Sequence, residues 1–105
     1  MKLRNLSRQD ALPLLDELRA MAAVEPGPDP KCLARAKEIR FQLQGQEWAS
    51  LWMREKLEEA YRFLEILLSA RRWRDASLSV DRMRSEIKGA CSRISRLLST
   101  RARAV

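Results

Sequence analysis

Ten basic side chains fall between residue 71 and the end of the chain, against three acidic ones. Most are arginines, whose planar guanidinium pairs bidentately with phosphate or carboxylate and keeps its charge at any biological pH. Read as one helix over 72–100, with a tail over 101–105, this stretch turns Arg71, Arg74, Arg82, Arg93, Arg96 and Arg103 away from its apolar seam. Between them on that side lie Ser85, Gly89, Ser92 and Thr100, small residues that let another backbone come close. Arg71 to Arg82 and Arg82 to Arg93 are both eleven residues, three helical turns, which would stack these arginines about 16 Å apart on one line. A row of this kind suits contact with the phosphates of a nucleic acid. The candidate nucleic-acid-binding residues are therefore Arg71, Arg74, Arg82, Arg93, Arg96 and Arg103, with Ser85 and Ser92 between them. The face carries no Asn, Gln or aromatic side chain, the types that read base edges or stack on single strands.

Catalytic chemistry has little to build on. The chain has no His and only two Cys, which removes His-based catalysis and the usual zinc-ligand spacings. No Gly-rich phosphate loop or nucleophile motif occurs. Glu55, Glu58, Glu59 and Glu65 interleave with Arg54, Lys56 and Arg62 at helical spacing, the pattern of surface ion pairs. We expect a non-enzymatic protein with no catalytic residues, metal, cofactor or small-molecule substrate. Cys32 and Cys91 fall on apolar faces of separate segments and read as free core thiols, which suits a reducing, cytoplasmic setting. The N-terminal residues lack the apolar stretch of a signal peptide, and no run approaches the ~20 apolar residues of a membrane span.

The charge is segregated along the chain. Sixteen of the 21 basic residues are Arg, and the 105 residues carry a formal charge of +7. Residues 1–70 hold eleven basic and eleven acidic side chains, so the whole excess belongs to the last segment. GC-rich coding would also enrich Arg, and a surface helix is charged in any case. Sign segregation exceeds both, because a merely solvating face mixes its signs. An acidic protein surface is the other partner that such a face fits.

The elements that must position these residues are helical throughout. Ala, Leu, Arg, Glu, Gln, Lys and Met dominate, while β-branched residues are few and never alternate with period two. The pattern predicts a single all-α domain over 1–105, a helical hairpin or bundle of three to four helices completed by homodimerisation. Residues 1–9 read as a polar lead-in. A helix over 10–24 follows, with Asp10 as cap and Pro13 in its first turn. Glu25 to Pro30 breaks it, and Asp29-Pro30 restarts the chain as a helix over 30–44. A kink or break is expected near Gln44-Gly45-Gln46, then a helix over 48–69. That helix has one apolar face through Met53, Leu57, Ala60, Tyr61, Leu64, Leu67 and Leu68. A second face holds Trp48, Leu51, Trp52, Phe63 and Ile66, the candidate dimer or partner interface, because two apolar faces call for two burials. The second burial comes most simply from another subunit, or else within one chain from the first and last helices. In the basic helix the seam runs Trp73, Ala76, Val80, Met83, Ile87, Ala90, Ile94, Leu97.

In its pattern the chain resembles the small RNA-silencing suppressors of nodaviruses. The likeness covers roughly residues 10–100: a short helix ended at Glu25 to Pro30, a long second helical region, and the Tyr61, Leu64, Leu67-Leu68 stripe ahead of a basic stretch. The resemblance implies a basic, all-helical protein that dimerises as a four-helix bundle and lies along one face of double-stranded RNA. In that family the long bundle helices touch RNA, whereas here the charge sits in the last helix, so the candidate site rests on the helical-face argument. The expected function is duplex RNA binding through backbone and shape, as in suppression of RNA silencing. A competing expectation is a helical protein-interaction module, an adaptor, chaperone or antitoxin-like partner, anchored by the Trp48 and Trp52 face. The stretch Leu67 to Ala76 is similar to the turn region of helical-hairpin adaptors.

Overall fold

Ser7, Asp29, Ser50 and Ser79 each offer a side-chain oxygen to an amide three residues ahead, and these caps decide where the helices start. The computed structural model describes residues 2–103, with side chains as far as Thr100. Helix α1 spans Arg8–Met21, α2 Pro30–Gln44 and α3 Leu51–Leu67; α4 is the single turn Arg72–Asp75, and α5 spans Val80–Arg103. The chain is all-α, with no strand among the described residues.

The first helix starts before Asp10. Ser7 Oγ accepts from the Asp10 amide at 3.1 Å, and Asp10 Oδ2 accepts from the Ser7 amide at 3.0 Å. This reciprocal box makes Asp10 the third helical residue rather than the cap. Pro13 consequently lies in the second turn, where it removes one helical hydrogen bond. Its ring is exposed, so water can serve the carbonyl left over.

Two turns define the middle of the chain. Gly27 takes φ +150°, a conformation that L side chains rarely adopt. Its amide donates to the Leu67 carbonyl at 2.8 Å, tying the α1–α2 loop to the end of α3. At the other end, α2 stops at Gln44 with Gly45 as its cap, and α3 begins only after Ser50. The helix expected from residue 48 is therefore shorter, and Trp48 sits in the connecting turn.

The expected basic helix over 72–100 is two helices. Ala76 is extended, with φ −67° and ψ 145°, and Ser79 caps a new start by accepting from the Arg82 amide at 3.1 Å. Serines compete for backbone donors in this way, which is why Ser79 favours a break over a continuous helix.

The four long helices run antiparallel to their neighbours. Arg84 Nη2 on α5 donates to the Val24 carbonyl just beyond α1, at 2.8 Å, placing the start of one beside the end of the other. Leu6, before α1, lies beside Trp48, after α2. Met53 and Leu57 at the start of α3 share a small apolar void with Ile94 and Leu98 near the end of α5. Around the ring, α1 packs on α5, α5 on α3, α3 on α2, and α2 on α1. At the centre Leu15, Ile39, Leu43, Leu64, Ile87 and Ile94 are fully buried, each contributing roughly 1.5–3 kcal/mol of hydrophobic stabilisation.

Two seams of charge lock adjacent helices. Arg35 on α2 grips Glu17 on α1 with both forks, Nε to Oε1 at 2.6 Å and Nη2 to Oε2 at 2.9 Å. Arg40 reaches Glu58 on α3 at 3.2 Å and lays its guanidinium 3.9 Å from the centre of the Tyr61 ring. The seam on α5 also departs from expectation. Leu97 is 42% exposed while Leu98 is buried, because the helix steps by four from Ile87 to Cys91 and from Ile94 to Leu98.

Candidate nucleic-acid interface

The outer face of α5 is where the candidate cations meet. Arg82, Lys88, Arg93 and Arg96 are exposed, and Ser85 lies among them, also exposed. Arg82 and Arg93 keep their eleven-residue separation on one continuous helix, about 16 Å. Lys88 is absent from the expected row, although its position at helical spacing from Arg96 was readable from the sequence. The 24 residues of α5 extend this face over about 36 Å.

The row is shorter than expected at its N-terminal end. Arg71 and Arg74 precede the break at Ala76 and belong to the α4 turn, so they do not continue the line of Arg82 and Arg93. Arg71 caps α4 without a side-chain hydrogen bond, and Arg74 places its guanidinium 4.9 Å from the centre of the neighbouring Trp73 ring. Arg103 lies outside the described side chains.

Charge on the face is mixed near α3 and clear elsewhere. Among the described residues the ion pairs of α5 are Arg82 Nε with Glu86 Oε1 at 3.1 Å and Arg84 Nη1 with Asp81 Oδ1 at 4.0 Å. Lys88, Arg93 and Arg96 have no carboxylate partner among the described residues. A shallow groove between α3 and α5 is lined by Lys56, Glu59, Ser85, Glu86, Gly89 and Arg93. A Cβ built on Gly89 meets nothing within 4 Å, so no packing contact demands glycine there. Ser92 is less free than expected, since Arg19 Nη1 on α1 donates to its Oγ at 3.4 Å.

The candidate partner face on α3 divides. Trp48 is turned inward: its Nε1 donates to the Leu6 carbonyl at 2.9 Å, and its ring closes the void beside Leu15 and Leu43. Phe63 and Ile66 are half-buried against the chain's own core. Leu51 and Trp52 remain outside, 71% and 38% exposed. The bundle itself thus covers most of what the sequence assigned to a second subunit.

The thiols sit as expected for unbridged core residues. Cys91 is buried, and burial pushes its thiol up to about 11. Cys32 is half-buried, and burial raises its thiol as well. No described helix is long and apolar enough to cross a membrane.

Sequence reasoning missed one polar cluster. Gln42, which was not singled out, and Gln46, treated as part of a break in the apolar pattern, are the only buried polar side chains among the described residues. Their four-residue spacing, followed by Trp48, was the available signal.

Comparison of the chain with known protein families, curated proteins and solved structures gives no match.

Proposed function

We propose that the protein binds double-stranded nucleic acid, non-enzymatically, through the outer face of α5. The observation that carries this reading is the exposed trio Lys88, Arg93 and Arg96, spread across the solvent side of α5 with Arg96 between the other two, without carboxylate partners among the described residues. Cations held on a rigid helix neutralise phosphates and release their counterions, which supplies backbone affinity without base reading. Ser85 and Gly89 leave space between them for close approach of a sugar–phosphate chain. RNA is the favoured duplex because the chain resembles nodaviral silencing suppressors, and suppression of silencing would follow from covering the duplex against other binders.

The assembly we propose is a homodimer joined at Leu51 and Trp52, the large apolar side chains left outside at the start of α3. A salt-titrated binding series with duplex RNA, duplex DNA and single strands tests the binding face. The interaction-module reading is narrower than the sequence suggested, because Trp48 is engaged within the chain.

A further inference from the structure

Five main-chain polar groups of the N-terminal segment end on side chains of α2 and the turn that follows it. The Arg4 amide donates to Gln42 Oε1 at 2.7 Å, and the Leu6 amide to Gln46 Oε1 at 3.1 Å. In return Gln42 Nε2 donates to the Lys2 carbonyl, and Gln46 Nε2 to the Arg4 carbonyl, both at 2.7 Å. Trp48 Nε1 completes the row on the Leu6 carbonyl at 2.9 Å. One whole edge of the segment, from the Lys2 carbonyl to the Leu6 carbonyl, is therefore paired as it would be beside a β-strand.

The match is geometric. Gly45 caps α2 but keeps near-helical φ −83° and ψ −4°. Gln42 and Gln46 therefore stand about one helical turn apart, about 6.0 Å against about 6.6 Å for two residues of extended chain, and meet alternate residues of the segment. Gln42 and Gln46 are 2% and 4% exposed. Buried amides without partners cost free energy, so this end of α2 is built to hold an extended main chain. Gly45 supplies the remaining fit. Its φ of −83° suits any residue, but a Cβ there would stand 2.7 Å from Leu3 Cδ1. Bare backbone at Gly45 makes room for a branched apolar side chain.

Lys2, Arg4 and Asn5 are exposed and their side chains add little to the hold, whereas Leu3 lays its side chain over Gly45. The five hydrogen bonds use groups that every peptide carries, and another segment can make the same set. We propose that Gln42, Gln46 and Trp48 form a binding site for an extended peptide main chain. Residues 2–6 occupy it in cis. A partner protein's extended segment, with a leucine-like side chain opposite Gly45, takes it in trans. This mode resembles strand addition at a sheet edge, with side-chain amides standing in for the edge. It uses none of the exposed cations of α5 and stands or falls apart from nucleic-acid binding.

The test uses the full chain carrying Leu3→Asp and the peptide Met-Lys-Leu-Arg-Asn-Leu-Ser. In the unaltered protein the Arg4 and Leu6 amides should exchange with solvent at least tenfold more slowly than that of Asn5. In the variant that protection should be lost, and the peptide should bind saturably, shifting the Trp48 indole N–H resonance. A peptide N-methylated at its arginine and its second leucine should not bind. Leu3→Gly, which removes the side chain seated at Gly45 and leaves its place open, provides the same release if Leu3→Asp does not fold. Unprotected Arg4 and Leu6 amides in the unaltered chain, retained protection in the folded variant, or a released groove that takes up no peptide would each overturn the proposal. Equal binding of the methylated peptide would overturn it too.

Discussion

Arg82 holds its Nε 3.1 Å from Glu86 Oε1, one turn further along the same side of α5. The pair separates two kinds of arginine that look equivalent in sequence. Arg82 already has a carboxylate to satisfy, whereas Arg93 has none among the described residues. A phosphate approaching Arg82 must compete with Glu86, so Arg82→Ala should weaken duplex binding less than Arg93→Ala. Glu86→Gln should tighten binding and steepen its salt dependence, since it frees one cation for phosphate. Fluorescence anisotropy of a labelled duplex against each variant checks this. Equal losses for the two arginine variants would mean that the Arg82–Glu86 pair does not hold in solution.

Gly89 is open to substitution, because a Cβ there meets nothing and its φ is not positive. Alanine in a helix interior is favoured over glycine by roughly 0.5–1 kcal/mol. Gly89→Ala should therefore raise the melting temperature by several degrees in a thermal melt followed by circular dichroism. A lower melting temperature would show that this face is already packed against something, such as a second copy.

Stability should fall on the acid side, and Glu17 should contribute to the slope. The two-pronged hydrogen bond from Arg35 holds the Glu17 carboxyl below its ordinary value of 4.5. Asp10 is likewise lowered, first by the Ser7 amide. A carboxyl favoured as the anion in the folded chain stabilises it fully above the ordinary value. That contribution is lost as pH falls through the lowered folded value. Glu17→Gln should flatten the loss of stability below about pH 4.5 in urea melts taken across the acid range. The pair is partly exposed, so the difference should stay below about 1 kcal/mol. An unchanged acid limb would place the cause in other carboxylates.

Leu51 and Trp52 carry the assembly prediction. Sedimentation of the purified chain should show a dimer that Leu51→Lys with Trp52→Glu converts to monomer, with helicity retained. A monomer in the unaltered chain at all accessible concentrations would remove the homodimer from the account.

How far the sequence could be read depended on the range of the interactions involved. The Asp29-Pro30 start of α2 was legible because cap and proline act within one turn. The apolar stripe of α3 was legible because periodicity reports burial directly. The break before α5 was missed because Trp73, Ala76 and Val80 keep helical spacing across it. Ser79 ends that regularity by a local hydrogen bond that spacing does not reveal. Trp48 was misplaced because its fate depends on Leu6, forty-two residues away. Gln42 and Gln46 were missed for a related reason: buried glutamines make sense only once the segment they clamp is known. Of the basic row, α5 keeps Arg82, Arg93 and Arg96 on one helix, while Arg71 and Arg74 fall on the other side of the break.

The central claim is that the exposed cations of α5 bind the phosphates of a duplex. The most direct measurement is the salt dependence of duplex RNA affinity for the unaltered chain and for Arg93→Ala with Arg96→Ala. The account predicts duplex RNA preferred over single strands, and a double variant of unchanged helicity with weaker binding. The slope of log K against log salt should be shallower by about two. Unchanged affinity and slope in the double variant, or binding equally tight to single strands, would contradict it.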